Sequence, residues 1–258
     1  MDQIRARARL SILLLLVMAL SACGSGVSSA RTVSPSPTPR PPTASPTATP
    51  AVESHSVSVV TSDHLKLTGT LYGSGHAAIV FSNQTDTSAA NWAPVARAFA
   101  ARGYLALAYN YRGTHGSQGT FDTSMLDKDV SAAIAFVRAR EASHVVLIGA
   151  SIGGAATARA ASGTSVVCTV ILSAPRDWPV LPVTDDMLRA ITAPKLFLDS
   201  EGDEFADDVQ AMYDGSPFPK EIHFYPGVAH GLDMFGMRYG DDLLRRIITF
   251  VQTSAPAS

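Results

Sequence analysis

The stretch HVVLIGASIGGAATARAAS, residues 144–162, decides how the rest of the chain is read. An apolar run breaks at Gly149, passes Ser151, meets Gly153 and Gly154, and becomes alanine-rich. A short continuous apolar run suits a buried strand, and the alanine-rich continuation suits a closely packed helix. Gly149-Ala150-Ser151-Ile152-Gly153 reads G-x-S-x-G between the two, the context in which this motif presents a nucleophile. The reason is steric. A tight strand-to-helix turn holds the serine in a strained backbone conformation, and only small residues two positions to either side let strand and helix pass. The turn lifts the Ser151 hydroxyl into a crevice at the helix N-terminus, where negative charge is favoured. Two other readings compete. G-x-S-x-G arises by chance in glycine-rich loops. Gly149 and Gly154 also match the outer glycines of G-x-G-x-x-G, but Ser151 then takes the middle position, where a glycine lets a pyrophosphate approach, and the turn follows a late strand.

Outward from this turn the pattern repeats. Residues 56–72 alternate around a turn at Ser62-Asp63 and read as a hairpin. Apolar runs at 77–81, 104–109, 166–174, 195–200 and 221–226 follow, most of them leading into a helical pattern. Continuous apolar strands belong in a sheet covered on both faces. Their alternation with helices predicts an α/β fold with a mostly parallel central sheet. Ligands of such sheets bind beyond the carboxyl ends of the strands.

A serine hydroxyl needs an adjacent base to act as a nucleophile. Two loops at strand carboxyl ends offer partners: KLFLDS is followed by Glu-Gly-Asp203-Glu-Phe, and EIHFYP by Gly-Val-Ala-His230-Gly. The order serine, acid, histidine is that of one large enzyme class. The bland alternatives are a helix cap for Asp203 and an exposed loop residue for His230. Glu201, Glu204 and Asp233 remain open as the acid.

Over residues 56–253 the chain resembles the α/β-hydrolase superfamily, on the marks GASIGG, SEGDEF, GVAHG and WAPVARAFAARGYLALAYNYRGTHGSQG. That last segment looks like the helix, strand and Arg-Gly loop of small esterases and dienelactone-hydrolase-like enzymes. The resemblance implies an α/β-hydrolase fold, a Ser151–His230–Asp203 triad and no cofactor. It also implies an oxyanion hole made by the backbone N–H groups of Gln84 and Ile152. One departure bears on that hole: many relatives carry His-Gly after the first parallel strand, where this chain has Ser82-Asn83.

The remaining histidines carry weaker readings. His223 lies in mid-strand and reads as structural, while His115 in RGTHGSQG is a candidate for the site rim. His55, His64, His76 and His144 read as surface or strand-edge residues. No H-E-x-x-H spacing occurs, so no metal is expected. Residues 175–194 hold one short helix and a loop, too little for a cap domain, so an open site is expected. Trp178, Phe205, Met234 and Phe235 are candidates for apolar contacts to a small-molecule ester of modest size. A net charge of -2 and the lack of a basic cluster after residue 40 argue against nucleic acid as a partner.

The start of the chain reads differently. Arg5, Arg7 and Arg9 precede the apolar run Leu10 to Ala19, which is shorter than the roughly 20 residues a spanning helix needs. It reads as a secretory signal. Leu20-Ser21-Ala22-Cys23 resembles the bacterial lipobox, whose cysteine is lipidated and becomes the new N-terminus. Residues 1–22 are expected to be a signal peptide, Cys23 the lipid anchor, and 23–53 a Ser/Thr/Pro-rich linker without core-forming residues. The family likeness implies more than one acyl chain. Residues 54–258 form the catalytic domain on this reading, exported and tethered to the membrane surface. Cys168 is then unpaired and reads as a buried thiol. A binding or structural lipoprotein on the same fold is the alternative to an enzyme.

Overall fold

A computed structural model describes residues 52–257. The signal segment, Cys23 and the Pro-rich stretch up to residue 51 lie outside the described residues. An eight-stranded sheet runs in the order β1-β2-β4-β3-β5-β6-β7-β8. Its strands are β1 (Ser54–Val60), β2 (Lys66–Tyr72), β3 (Ala77–Ser82), β4 (Leu105–Tyr109), β5 (His144–Ala150), β6 (Cys168–Leu172), β7 (Lys195–Ser200) and β8 (Lys220–Tyr225). β1 and β2 form the expected hairpin, β2 pairs antiparallel with β4, and the other pairings are parallel. Among the described residues there are six α-helices: α1 (Ala93–Ala100), α2 (Leu126–Arg138), α3 (Ile152–Ser162), α4 (Asp185–Ala190), α5 (Ala206–Gly215) and α6 (Gly240–Ser254). A short 3-10 helix, Gly231–Gly236, follows His230 and was not expected from the sequence. Among the described residues no helix is long and apolar enough to cross a membrane.

The continuous apolar runs are explained by two separate cores. Along β5, Val145 and Leu147 pack on one face against α2 and α3, while Val146 and Ile148 pack on the other with α1 and α6. Neighbouring strand residues point to opposite faces, so a strand covered on both sides must be apolar at every position.

The placing of the helices follows from chain direction. Parallel crossovers are almost always right-handed, so the face a helix takes is set by the direction in which the next strand is added. From β3 the chain moves outward to β4 through α1. It then jumps back past β3 to β5 through α2, so these two helices pack on opposite faces. The loops leaving the neighbouring strands β3 and β5 therefore part in opposite directions. The crevice opened at such a switch point is where α/β sheets bind ligands. Gln84 follows β3 and Ser151 follows β5, one on each side of that crevice.

Candidate active site

Ser151 sits between β5 and α3 with φ 54° and ψ −130°. Positive φ is unfavourable for a residue with a Cβ, and here the surroundings enforce it. The Ser151 N–H donates to Leu172 O at 2.8 Å, while the Gly154 N–H donates back to Ser151 O at 2.8 Å and begins the helix. A Cβ on Gly149 would lie 2.3 Å from Gly153 O, and one on Gly153 would lie 2.4 Å from Asn83 O. One on Gly154 would lie 2.7 Å from the Ala174 Cβ. Close approach thus requires the glycines, to backbone at Gly149 and Gly153 and to the Ala174 methyl at Gly154, which leaves the serine as the one residue of the turn with a functional side chain.

Asp203 and His230 come from the loops after β7 and β8. His230 Nδ1 lies 2.9 Å from Asp203 Oδ2, with the aspartate side chain 2 % exposed and the histidine 26 %. A carboxylate can only accept, so Nδ1 carries the proton and Nε2 is left as the acceptor. Asp203 Oδ1 accepts the Phe205 N–H at 2.8 Å, in the turn that leads into α5. Asp203 is therefore not the helix cap, since Phe205 holds the cap position of α5 without a side-chain cap bond; one of its oxygens closes the turn before the helix and the other meets His230. Among the described residues no hydrogen bond joins His230 to Asp233, Glu201 or Glu204 through its side chain. None joins Ser151 Oγ to His230 either, and such contacts are often long until substrate is bound.

The two backbone N–H groups expected to form an oxyanion hole lie in different loops. Ile152 is the first residue of α3, and its N–H has no partner in the preceding turn of helix. No hydrogen bond from the Gln84 or Ile152 N–H to a backbone acceptor is present among the described residues. Ser82 and Asn83, which stand where relatives carry His-Gly, are buried. Ser82 Oγ lies 3.4 Å from Tyr109 Oη, and Asn83 Nδ2 donates to Tyr109 O at 2.8 Å. Their side chains turn back into the sheet and leave the loop backbone beside the crevice.

The histidine turn is held by side chains that the sequence did not single out. The Gly231 N–H donates to Ser173 Oγ at 2.9 Å and the Leu232 N–H to Gln84 Oε1 at 2.7 Å. Ser173 Oγ in turn donates to Asp199 Oδ1 at 2.6 Å. The available signal was position: Ser173 and Asp199 stand at the carboxyl ends of apolar strands, as Ser151 does.

Of the expected apolar contacts, Phe205 places its ring 5.5 Å from that of His230. Met234 is corrected: it is fully buried, with Sδ 3.5 Å from Ser173 Oγ, and lines the core. Phe235 packs on Trp92 and Trp178 on the opposite core, so both belong to the packing of the domain. His115 has φ 46°, and its Nε2 lies 3.1 Å from Thr87 O. It helps to line a cleft of about 440 Å³ with Gln84, Asp86, Thr87, Tyr111 and Phe121. His223 lies within β8, its ring 4.5 Å from Tyr225, and burial lowers its pKa. Cys168 is buried, and burial pushes its thiol up to about 12, which makes it inert. Among the described residues no group of three or more His, Cys, Asp or Glu side chains could hold a metal ion.

Residues 73–252 match the profile described as "Alpha/beta hydrolase family". No curated protein matches the chain in sequence. An esterase of Pyrococcus furiosus superposes with a TM-score of 0.67 at 17 % identity, covering 79 % of this chain and 94 % of that one. The esterase domain of a Rhodothermus marinus protein gives a TM-score of 0.61 at 18 % identity, covering 78 % and 98 %. A hypothetical protein from Pseudomonas aeruginosa gives 0.68 at 15 % identity, covering 80 % and 94 %. At these identities the likeness is one of fold.

Proposed function

The chain belongs to the alpha/beta hydrolase family, and from that premise we propose that it is a serine hydrolase cleaving carboxylic esters through an acyl-enzyme on Ser151. The observation that carries this reading is the 2.9 Å bond from His230 Nδ1 to Asp203 Oδ2, because it commits Nε2 to the acceptor state a general base needs. Ser151 Oγ attacks the ester carbonyl and gives its proton to His230 Nε2. Asp203 orients the ring and stabilises the imidazolium. The Gln84 and Ile152 N–H groups receive the negative charge that forms on the carbonyl oxygen. The tetrahedral intermediate collapses, and the alcohol departs with the proton from His230. Water, deprotonated by the same histidine, then releases the acid and restores Ser151.

The single short helix between β6 and β7 and the esterases among the fold neighbours favour an ester of modest acyl size. The Arg-Gly loop after β4 adds its likeness to small esterases and dienelactone-hydrolase-like enzymes. The reading includes export and attachment to the membrane surface through lipidated Cys23, on the strength of the basic, apolar, Leu-Ser-Ala-Cys order. A single chain holds a protein weakly and two hold it firmly.

Hydrolysis of a short p-nitrophenyl ester tests the chemistry. Wild-type protein should turn it over, and Ser151→Ala, with an unchanged melting temperature, should fall by at least about three orders of magnitude. Retained turnover in the variant contradicts the reading. Mass spectrometry of the membrane-derived protein tests the anchor: an acylated Cys23 as first residue is expected, and a free N-terminus elsewhere rules it out.

A further inference from the structure

Ser173 and Asp199 lie outside the proposed triad but are built against it. Ser173 follows β6 with φ 45°, a left-handed conformation rare for serine. Asp199, within β7, has no exposed surface. Its Oδ1 accepts from Ser173 Oγ at 2.6 Å and from the Ser200 N–H at 2.8 Å, while Oδ2 has no hydrogen-bond partner among the described residues. Burying a carboxyl with one oxygen unsatisfied is costly, and an apolar residue of similar size would serve stability better. The arrangement therefore asks for another role.

The polarity of the chain of bonds is dictated by its donors. Ser173 has one proton to give, and it goes to Asp199. The serine oxygen is then free to receive the Gly231 N–H at 2.9 Å. Gly231 follows His230 directly and has φ 53°, and a Cβ on it would lie 2.3 Å from Gln84 Oε1. The backbone just past the histidine is thus pinned from two sides, by Ser173 and by the Gln84 side chain.

Building on the reading of His230 as the base, we propose that Ser173 and Asp199 are positioning residues for it: the serine fixes the histidine turn, and the aspartate both fixes the serine and supplies a second counter-charge to the imidazolium. Two titratable groups bear on Asp199 through their charges: Asp203 from the loop after β7 and His230 from the loop after β8. Tyr239, at the entry to α6, meets the neighbouring Ser200, Oη to Oγ, at 3.1 Å. Burial, with the Asp203 charge adding to it, pushes the Asp199 carboxyl up to about 7, against the Ser173 hydrogen bond. It therefore changes state in the range where a histidine base works. The two titrations are coupled. An ionised Asp199 favours the imidazolium, and a protonated one withdraws that support.

Asp199→Asn isolates the charge, since its amide oxygen can still accept from Ser173. The His230 ring, followed by NMR titration with labelled histidine, should titrate at lower pH in the variant, by about half a unit to one unit. The acid limb of kcat/KM should move the same way, with a several-fold lower plateau. A His230 titration that matches wild type overturns the counter-charge. Ser173→Ala isolates the clamp: kcat should fall about tenfold with little change in KM, and the Gly231 amide should exchange faster with deuterium. Unchanged kcat and exchange overturn the positioning role. The second variant also carries the test if Asp199→Asn does not fold. NMR titration and amide exchange do not depend on turnover, so they report on the pair even if Ser151→Ala were to keep its activity and the hydrolase reading were to fail.

Discussion

Asp203 shows how one carboxylate can serve two ends, with Oδ1 on the turn into α5 and Oδ2 on His230. Asp203→Asn should leave the domain folded, because an amide oxygen can still accept the Phe205 N–H. It should also favour the wrong tautomer of His230, and the comparable change in a serine protease costs about 10⁴ in turnover. We expect a loss of at least about two orders of magnitude in ester turnover. Asp233→Asn should cost little, since Asp233 meets His230 through its backbone, N–H to carbonyl at 3.0 Å. The reverse ranking would move the acid to Asp233. The position of these residues was legible because each follows an apolar run that reads as a strand. Ser173 and Asp199 followed such runs too, but their meaning was not legible. Asp199 reads as the polar end of KLFLDS, and its partner Ser173 is 26 residues away in sequence.

The strand–turn–helix from β5 to α3 is where packing and chemistry meet at the scale of an element. Its glycines were legible as a motif with a steric cause. The distances add the direction of the clash: Gly149 against Gly153 O, and Gly153 against the loop after β3. Gly149→Ala must push α3 away from β5, so it should lower stability by about 1–3 kcal/mol and move Ser151 off its place. Gly163, just past the end of α3, has a φ of −106°, and a Cβ added there would meet no atom within 4 Å. Gly163→Ala should therefore change stability by about 0.5 kcal/mol or less and leave turnover alone. Thermal melts and ester assays on the pair check this, and similar losses in both would remove the steric account. The Arg-Gly loop shows what a motif leaves out. Arg112 bonds Asp129 of α2 at 2.7 Å and Asp63 of the hairpin turn at 3.0 Å, and so ties the cleft-lining loop to two distant elements. Nothing in the local pattern around Arg112 names either partner.

At the scale of the whole molecule, the alternation of apolar runs with helical patterns made the α/β class readable. The strand order was not readable from pattern alone, because nothing in the composition of β4 places it outside β3. Handedness supplies the missing rule and also explains why Gln84 and Ser151 face one crevice. The first described residues are already tied to the domain: Gly73 N–H donates to Glu53 O at 2.9 Å and Val52 packs on one core. A chain of residues 52–258 should melt within about 2 °C of one that also carries residues 24–51, since that segment has no core-forming residues. A much lower melting temperature would show that the segment packs on the domain.

If Ser151 is an activated nucleophile, a fluorophosphonate probe should label it, since only such a serine reacts. One label per folded chain is expected, mapped by peptide mass spectrometry to the peptide that holds Ser151. No label is expected in Ser151→Ala, and much slower labelling in Asp203→Asn. A folded wild-type protein that takes no label, or a label that persists in Ser151→Ala, would contradict an activated Ser151.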